Sequence, residues 1–79
     1  MARDNYNGYA NWETWNVMLW LDNEELAYNL YRRKRGLWTE ETIRDLCVTI
    51  WGRYNPDEVD LTGKAIEWGE ILEVVNTED

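Results

Sequence analysis

The fold is decided by the stretch Asn7-Gly-Tyr-Ala-Asn-Trp-Glu-Thr-Trp-Asn-Val-Met-Leu-Trp-Leu-Asp22, because it concentrates the apolar residues of a 79-residue chain. Three of the six tryptophans of the chain fall within nine of its residues. A helix that is apolar on all sides usually lies in the middle of a fold. We therefore expect a buried helix over residues 12–21, capped by Asn11, with Trp12, Trp15 and Leu19 on one inner face.

Two more helices follow from capping signals and apolar spacing. Asn23 can cap a helix over residues 24–35, which would end before Gly36. Thr39 can cap a third helix over residues 40–54, and the proline after Asn55 disfavours helical geometry beyond it. The inner face of this third helix would carry residues spaced at i, i+3, i+4, i+7, i+8 and i+11, which are Ile43, Leu46, Cys47, Ile50, Trp51 and Tyr54.

A fourth helix is expected over residues 62–75, with Leu61 just before it and Gly69 as a point where another helix can approach closely. The alternative for its end is a terminal strand over residues 72–75, although the sequence offers no partner strand. The pattern as a whole predicts a compact all-α bundle of about four short helices around the tryptophan-rich first helix. Residues 1–79 form a single domain in this interpretation.

The absent residue types exclude several kinds of chemistry. The chain has no histidine and no serine, and its one cysteine is Cys47. Zinc and iron–sulfur sites normally need several cysteine or histidine ligands, and a cysteine nucleophile normally needs a base to activate it. We therefore expect no enzyme activity, no metal site and no cofactor. The sequence also shows no membrane span and no signal peptide, and it predicts a cytoplasmic protein.

The charge of the chain is unevenly distributed. Residues 1–39 carry five acidic and five basic side chains, whereas residues 40–79 carry eleven acidic and three basic ones and so hold the whole net charge of −8. An acidic surface repels nucleic acid and attracts basic partners. Solubility alone is the alternative explanation. If the acidic half binds a partner, the candidate contacts are Asp57, Glu58, Asp60, Glu67, Glu70 and Glu73.

Two further segments leave alternatives open. Tyr6 and Tyr9 flank an Asn-Gly turn, and they either pack on the first helix or stay exposed as weaker contact candidates. The basic run Arg32–Arg35 lies at the negative C-terminal end of the second helix, which accounts for it without a phosphate site. The sequence does not decide whether this run faces a partner, a second copy of the chain, or water.

The segment from Tyr6 to Asn23 resembles a family of small proteins encoded by bacteriophages and mobile elements, whose shared opening is Tyr-Asn-Gly-x-x-Asn-x-Glu-Thr-Trp-x-Val-x-Leu-Trp-Leu. The match covers about a quarter of the chain and carries over no functional site. The resemblance implies a phage-type origin. Small acidic phage proteins without catalytic groups are often inhibitors of host defence, such as anti-CRISPR and anti-restriction proteins.

The leading hypothesis is therefore an anti-CRISPR whose acidic surface occludes the basic DNA-binding surface of a surveillance complex. Its partner would be a basic nucleic-acid-binding protein or complex such as a CRISPR effector, with no direct contact to nucleic acid or membrane. Electrostatic complementarity of this kind raises association rates and specificity. The alternative is a phage structural or regulatory protein that binds a host or virion protein through an apolar patch.

Overall fold

A computed structural model describes residues 8–77, and within that range the chain forms four helices: α1 (Trp12–Asn23), α2 (Glu25–Arg33), α3 (Glu40–Trp51) and α4 (Trp68–Val75). Helix α1 packs against α2 and α4, and α3 packs against the same two helices. The prediction of an all-α bundle of four short helices is confirmed. None of the helices in the described range is long and apolar enough to cross a membrane.

The core lies between the helices and the loop that joins α3 to α4. Its fully buried aliphatic side chains come from α1, α3, the loop and α4, and they include Val17, Leu21, Ile43, Leu61 and Ile71. Each such side chain contributes about 1.5–3 kcal/mol relative to an exposed position. The loop contributes Val59, Leu61 and Ile66 to the core, and the helix predicted over residues 62–75 covers only Ile66 of these three.

Helix α1 begins where its capping signal predicts, but it is not buried on all sides. The Asn11 side chain accepts a hydrogen bond from the Thr14 backbone N–H at 2.9 Å, as expected of an N-cap. The predicted inner face is wrong, because Trp12 and Leu19 remain 38% and 37% exposed. The inner face consists instead of Thr14, Asn16, Val17, Met18 and Leu21. The helix therefore has polar residues inside and large apolar residues outside.

The starts of α2 and α3 show that local capping decides these boundaries. Glu24, and not Asn23, caps α2, since its carboxylate accepts the backbone N–H groups of Leu26 and Ala27. Thr39 caps α3 as predicted, and its hydroxyl and the Thr42 side chain form a reciprocal capping box. Between these helices the chain turns at Gly36, which has a φ of 93°.

Helix α3 ends at Trp51, three residues earlier than predicted. Gly52 adopts φ 86° and ψ −157°, a region that only glycine reaches readily, and its N–H donates to the Val48 carbonyl at 2.7 Å. This glycine stops the helix before Pro56 can act. Tyr54, predicted on the inner face, consequently lies in the loop, where it is 51% exposed and forms an isolated bridge with Asp60.

Helix α4 begins at Trp68, six residues later than predicted, because the preceding backbone groups are used in a turn. Asp60 accepts both the backbone N–H and the hydroxyl of Thr62, and its carbonyl accepts the Gly63 N–H. The terminal-strand alternative is wrong, since residues 72–75 are helical. The proposed close approach at Gly69 is also wrong, because a methyl group added there would meet no atom within 4 Å.

Candidate functional site

Two of the six predicted contact carboxylates hold the α3–α4 loop in place. Asp57 Oδ2 accepts hydrogen bonds from Asn16 Nδ2 at 2.8 Å and from Trp20 Nε1 at 2.9 Å, which join the α3–α4 loop to α1. These bonds lower the pKa of Asp57 below its usual value. The carboxylate is exposed at its outer edge, yet its orientation is fixed by α1.

Asp60 is similarly engaged. The guanidinium of Arg53 donates to its two oxygens at 3.3 and 3.2 Å, and Thr62 donates twice more. The hydrogen bonds from Arg53, followed by those from Thr62, lower the pKa of Asp60 to about 2. Asp60 is therefore a turn-forming residue with its own cation, which makes it a poor candidate for recruiting a basic partner.

Three of the remaining four carboxylates are better placed for binding. Glu58, Glu67 and Glu73 are exposed, and their side chains accept no hydrogen bond from residues 8–77. Glu70 differs, because its Oε1 accepts the Ala10 backbone N–H at 2.9 Å and so holds the segment before α1 against α4. The structure thus leaves Glu58, Glu67 and Glu73 as the unengaged part of the predicted acidic surface.

Tyr9 is half-buried and Tyr6 lies outside the described residues. Burial raises the pKa of the Tyr9 hydroxyl, and the nearby carboxylates of Asp22 and Glu70 raise it further. Tyr9 also lines a groove of about 230 Å³ together with Trp15, Met18, Leu19, Asp22 and Asn23. Tyr9 therefore packs against the core, which is one of the two predicted alternatives, and it also borders an open groove.

Next to this groove, large apolar side chains line the outer face of α1. We call Trp12, Trp15 and Leu19 the α1 strip. Trp12 and Leu19 are exposed, Trp15 is half-buried, and the Trp12 and Trp15 rings lie 6.3 Å apart at 47°. These are the residues that the sequence assigned to the core, and the structure makes them a surface that a partner can reach.

A larger open groove of about 630 Å³ lies on the other side of Asp22, between the end of α1, α2 and α4. The Tyr31 hydroxyl donates to Asp22 Oδ1 at 2.5 Å, and burial together with this bond raises the pKa of Tyr31. Tyr28, Arg35 and Glu73 also line the groove. Asp22 is thus the residue at which the two grooves meet.

The basic run at the end of α2 is largely matched by aromatic rings of the same chain. Three of its four cations lie over a ring at distances typical of cation–π contacts. The pairs are Arg32 over Tyr28 at 5.3 Å, Lys34 over Trp38 at 4.6 Å and Arg35 over Tyr31 at 5.6 Å. Intramolecular contacts therefore account for most of the run, in agreement with the interpretation that needs no phosphate.

Cys47 is fully buried, and burial raises the pKa of its thiol to about 12. A thiol in this state holds almost no thiolate near neutral pH, so it is unsuited to nucleophilic chemistry. Among residues 8–77, no three potential metal-ligating side chains come together.

Sequence reasoning missed the polar network that joins α1 to the α3–α4 loop. Asn16 and Asn55 are 1% and 3% exposed, and Asn55 Nδ2 donates to Asn16 Oδ1 at 2.7 Å. Asn55 Oδ1 accepts the backbone N–H groups of Asp57 and Val59 at 2.9 and 3.0 Å. The available signal was the placement of Asn16 inside an otherwise apolar helix, since a buried amide needs a partner.

The chain belongs to the family of unknown function DUF7249, whose model matches residues 2–79. No curated protein and no solved structure shows a significant match to it. The family model thus covers nearly the whole chain, including both grooves and the α3–α4 loop, and it assigns no activity to any of them.

Proposed function

We propose that this protein is a phage-type inhibitor of a host defence system that binds and occludes the basic DNA-binding surface of a CRISPR surveillance complex. The role is one of binding and not of catalysis. The observation that carries the proposal is the set of unengaged, exposed carboxylates at Glu58, Glu67 and Glu73, in the half of the chain that holds the whole net charge.

The physical mechanism is competition with phosphate. Lysine and arginine side chains that normally contact a DNA backbone can pair with carboxylates, and these charge-assisted hydrogen bonds are the strong ones. Within the acidic half, Arg44 and Arg53 are already paired with Glu40 and Asp60 at 3.4 and 3.2 Å. Arg44 and Arg53 are therefore engaged with other carboxylates and do not neutralise the three unengaged glutamates.

The proposal is tested by capturing partners from bacteria that carry defence systems and then measuring DNA binding by the captured complex. We expect the protein to displace DNA from that complex, with an affinity that falls steeply as salt rises. Glu67→Lys and Glu73→Lys should each weaken inhibition by about tenfold, and together by more.

Glu25→Lys is the matched control, because Glu25 is an exposed glutamate on α2, outside the acidic half, and its reversal changes the net charge equally. It should leave inhibition within about twofold of the parent. If the doubly reversed protein displaces DNA as well as the parent does, the acidic surface is not the contact. If Glu25→Lys is equally damaging, only the net charge matters and no specific surface exists.

A further inference from the structure

The outer face of α1 carries apolar surface that the fold leaves partly exposed. Isolated exposed hydrophobic residues are normal, but several in a row with a groove beside them indicate an interaction site. Trp12 and Leu19 are two helical turns, or about 10 Å, apart along one face, with Trp15 between them. The groove of about 230 Å³ continues this surface past Leu19 to Asp22.

The composition of α1 departs from that of an ordinary surface helix on both of its faces. Its buried face includes the polar residues Thr14 and Asn16, each engaged in hydrogen bonds to distant segments. Its exposed face carries Trp12 and Leu19. Because polar residues are mostly exposed and large apolar residues mostly buried, a buried polar residue and an exposed apolar patch are the informative exceptions. Here both occur on one helix.

Charge around the α1 strip restricts what can cover it. Residues 8–31 contain Glu13, Asp22, Glu24 and Glu25 and no lysine or arginine, although Lys64 lies next to Ala65, whose carbonyl accepts a hydrogen bond from Asn11 Nδ2 at 2.6 Å. Glu70 adds a carboxylate beside the start of α1 through its bond to Ala10. A second copy of the chain would bring the same acidic rim against this one, and nucleic acid or an anionic membrane would be repelled. The charge favours a cationic protein segment.

We propose that the α1 strip is a docking surface for an amphipathic basic helix of a partner protein. Two helices pack by placing the apolar rows of one against the other, so a partner with apolar residues at i, i+3, i+4 and i+7 fits a strip of this length. Lysine or arginine residues beside that row would face Glu13 and Asp22. The α1 strip would contact the apolar row of the partner helix, and Glu13 and Asp22 would orient that helix through its basic residues.

This surface is independent of the acidic surface proposed above for inhibition, and a peptide probe tests it directly. The probe is a labelled helical peptide of about 18 residues, with leucine at the four spacings given, lysine at the positions beside that row and alanine elsewhere. The matched control peptide has the same composition in scrambled order. Fluorescence anisotropy near physiological salt should show binding of the amphipathic peptide at least about tenfold tighter than that of the scrambled one.

The double variant Trp12→Ala/Leu19→Ala should weaken amphipathic-peptide binding by at least about tenfold. Leu37→Ala is the control, because Leu37 is 71% exposed outside the strip, and it should change affinity by less than about twofold. Circular dichroism and the urea midpoint establish that each variant is folded. Equal binding of both peptides, or no effect of the double variant, would overturn the proposal. Reversal of Glu67 and Glu73 should leave peptide binding in place, so that failure of one proposal is distinguishable from failure of the other.

Discussion

Replacing Asn55 by alanine should be among the most destabilising single changes in this protein. The side chain of Asn55 makes three hydrogen bonds, two from backbone N–H groups of its own loop and one to Asn16 on α1. Alanine removes all three. The Val59 N–H and Asn16 Oδ1 would then be left buried without these partners.

The magnitude follows from the two buried groups. A buried polar group without a partner costs about 1–3 kcal/mol, so Asn55→Ala should lower the free energy of unfolding by about 2–6 kcal/mol. A chain of this length is expected to have a total stability of roughly 4–12 kcal/mol. The loss is therefore a large part of the whole, and the melting temperature should fall by at least about 10 °C.

Urea unfolding followed by circular dichroism at low temperature measures this loss. Asn29→Ala is the matched control, because Asn29 is an exposed asparagine on α2 whose side chain makes no hydrogen bond within residues 8–77. That change should be neutral or stabilising by up to about 0.6 kcal/mol, since alanine is the better helix former. The reasoning is refuted if the two variants unfold within about 1 kcal/mol of each other.

The remaining predictions concern Gly52, Gly69, Asp60 and Cys47. Gly52→Ala should destabilise the protein by about 1–3 kcal/mol, because the backbone conformation of Gly52 disfavours other residues. Gly69→Ala should stabilise it by about 0.5–1 kcal/mol in the same urea assay, because Gly69 is helical and has open space around it. The pKa of Asp60 is lowered to about 2 in the folded protein. Between about pH 4 and pH 2 the unfolded chain therefore binds a proton at Asp60 more readily than the folded protein does. The free energy of unfolding should fall as the pH falls through this window. Asp60→Asn should flatten this part of the urea-midpoint profile, and an unchanged slope would contradict the assignment. Cys47 should resist iodoacetamide at pH 8 in the native protein and react fully in denaturant, and rapid labelling of the folded protein would contradict its burial.

The features of the fold that were predictable are those decided by neighbouring residues. The caps at Asn11 and Thr39 each join residues three positions apart, so the sequence alone contains all of the interaction. The signal that ends α3 is also local. Gly52 precedes Pro56 in the chain and ends the helix first, whereas the prediction relied on Pro56. A glycine followed by a polar segment can end a helix without help from a later proline.

What could not be predicted depends on contacts between distant residues. The orientation of α1 is one such feature, since apolar residues occur on every side of it and hydrophobicity alone does not choose the inner face. The choice is made by the partners of Thr14 and Asn16, which lie 53 and 41 residues away at Glu67 and Asp57. The delayed start of α4 shares this origin in part, because the Thr14 hydroxyl accepts the Glu67 N–H just before that helix, in addition to the local turn around Asp60.

The candidate site was predictable in its charge but not in the roles of its members. Composition alone located the acidic half of the chain. It did not separate Asp57 and Asp60, which hold the loop together, from Glu67 and Glu73, which are unengaged. Both kinds of carboxylate have the same local sequence character, and only their hydrogen-bond partners distinguish them.

This distinction determines which charge reversals can identify a binding surface. Asp57→Lys would remove the acceptor of Asn16 Nδ2 and Trp20 Nε1 and place a cation against both donors. The loop would lose a second set of hydrogen bonds to α1, distinct from the bond that Asn55→Ala removes, so a loss of inhibition would report unfolding as readily as a lost contact. Reversal of Glu67 or Glu73 breaks no side-chain hydrogen bond within residues 8–77, so a change in binding would identify these residues as part of the contact surface.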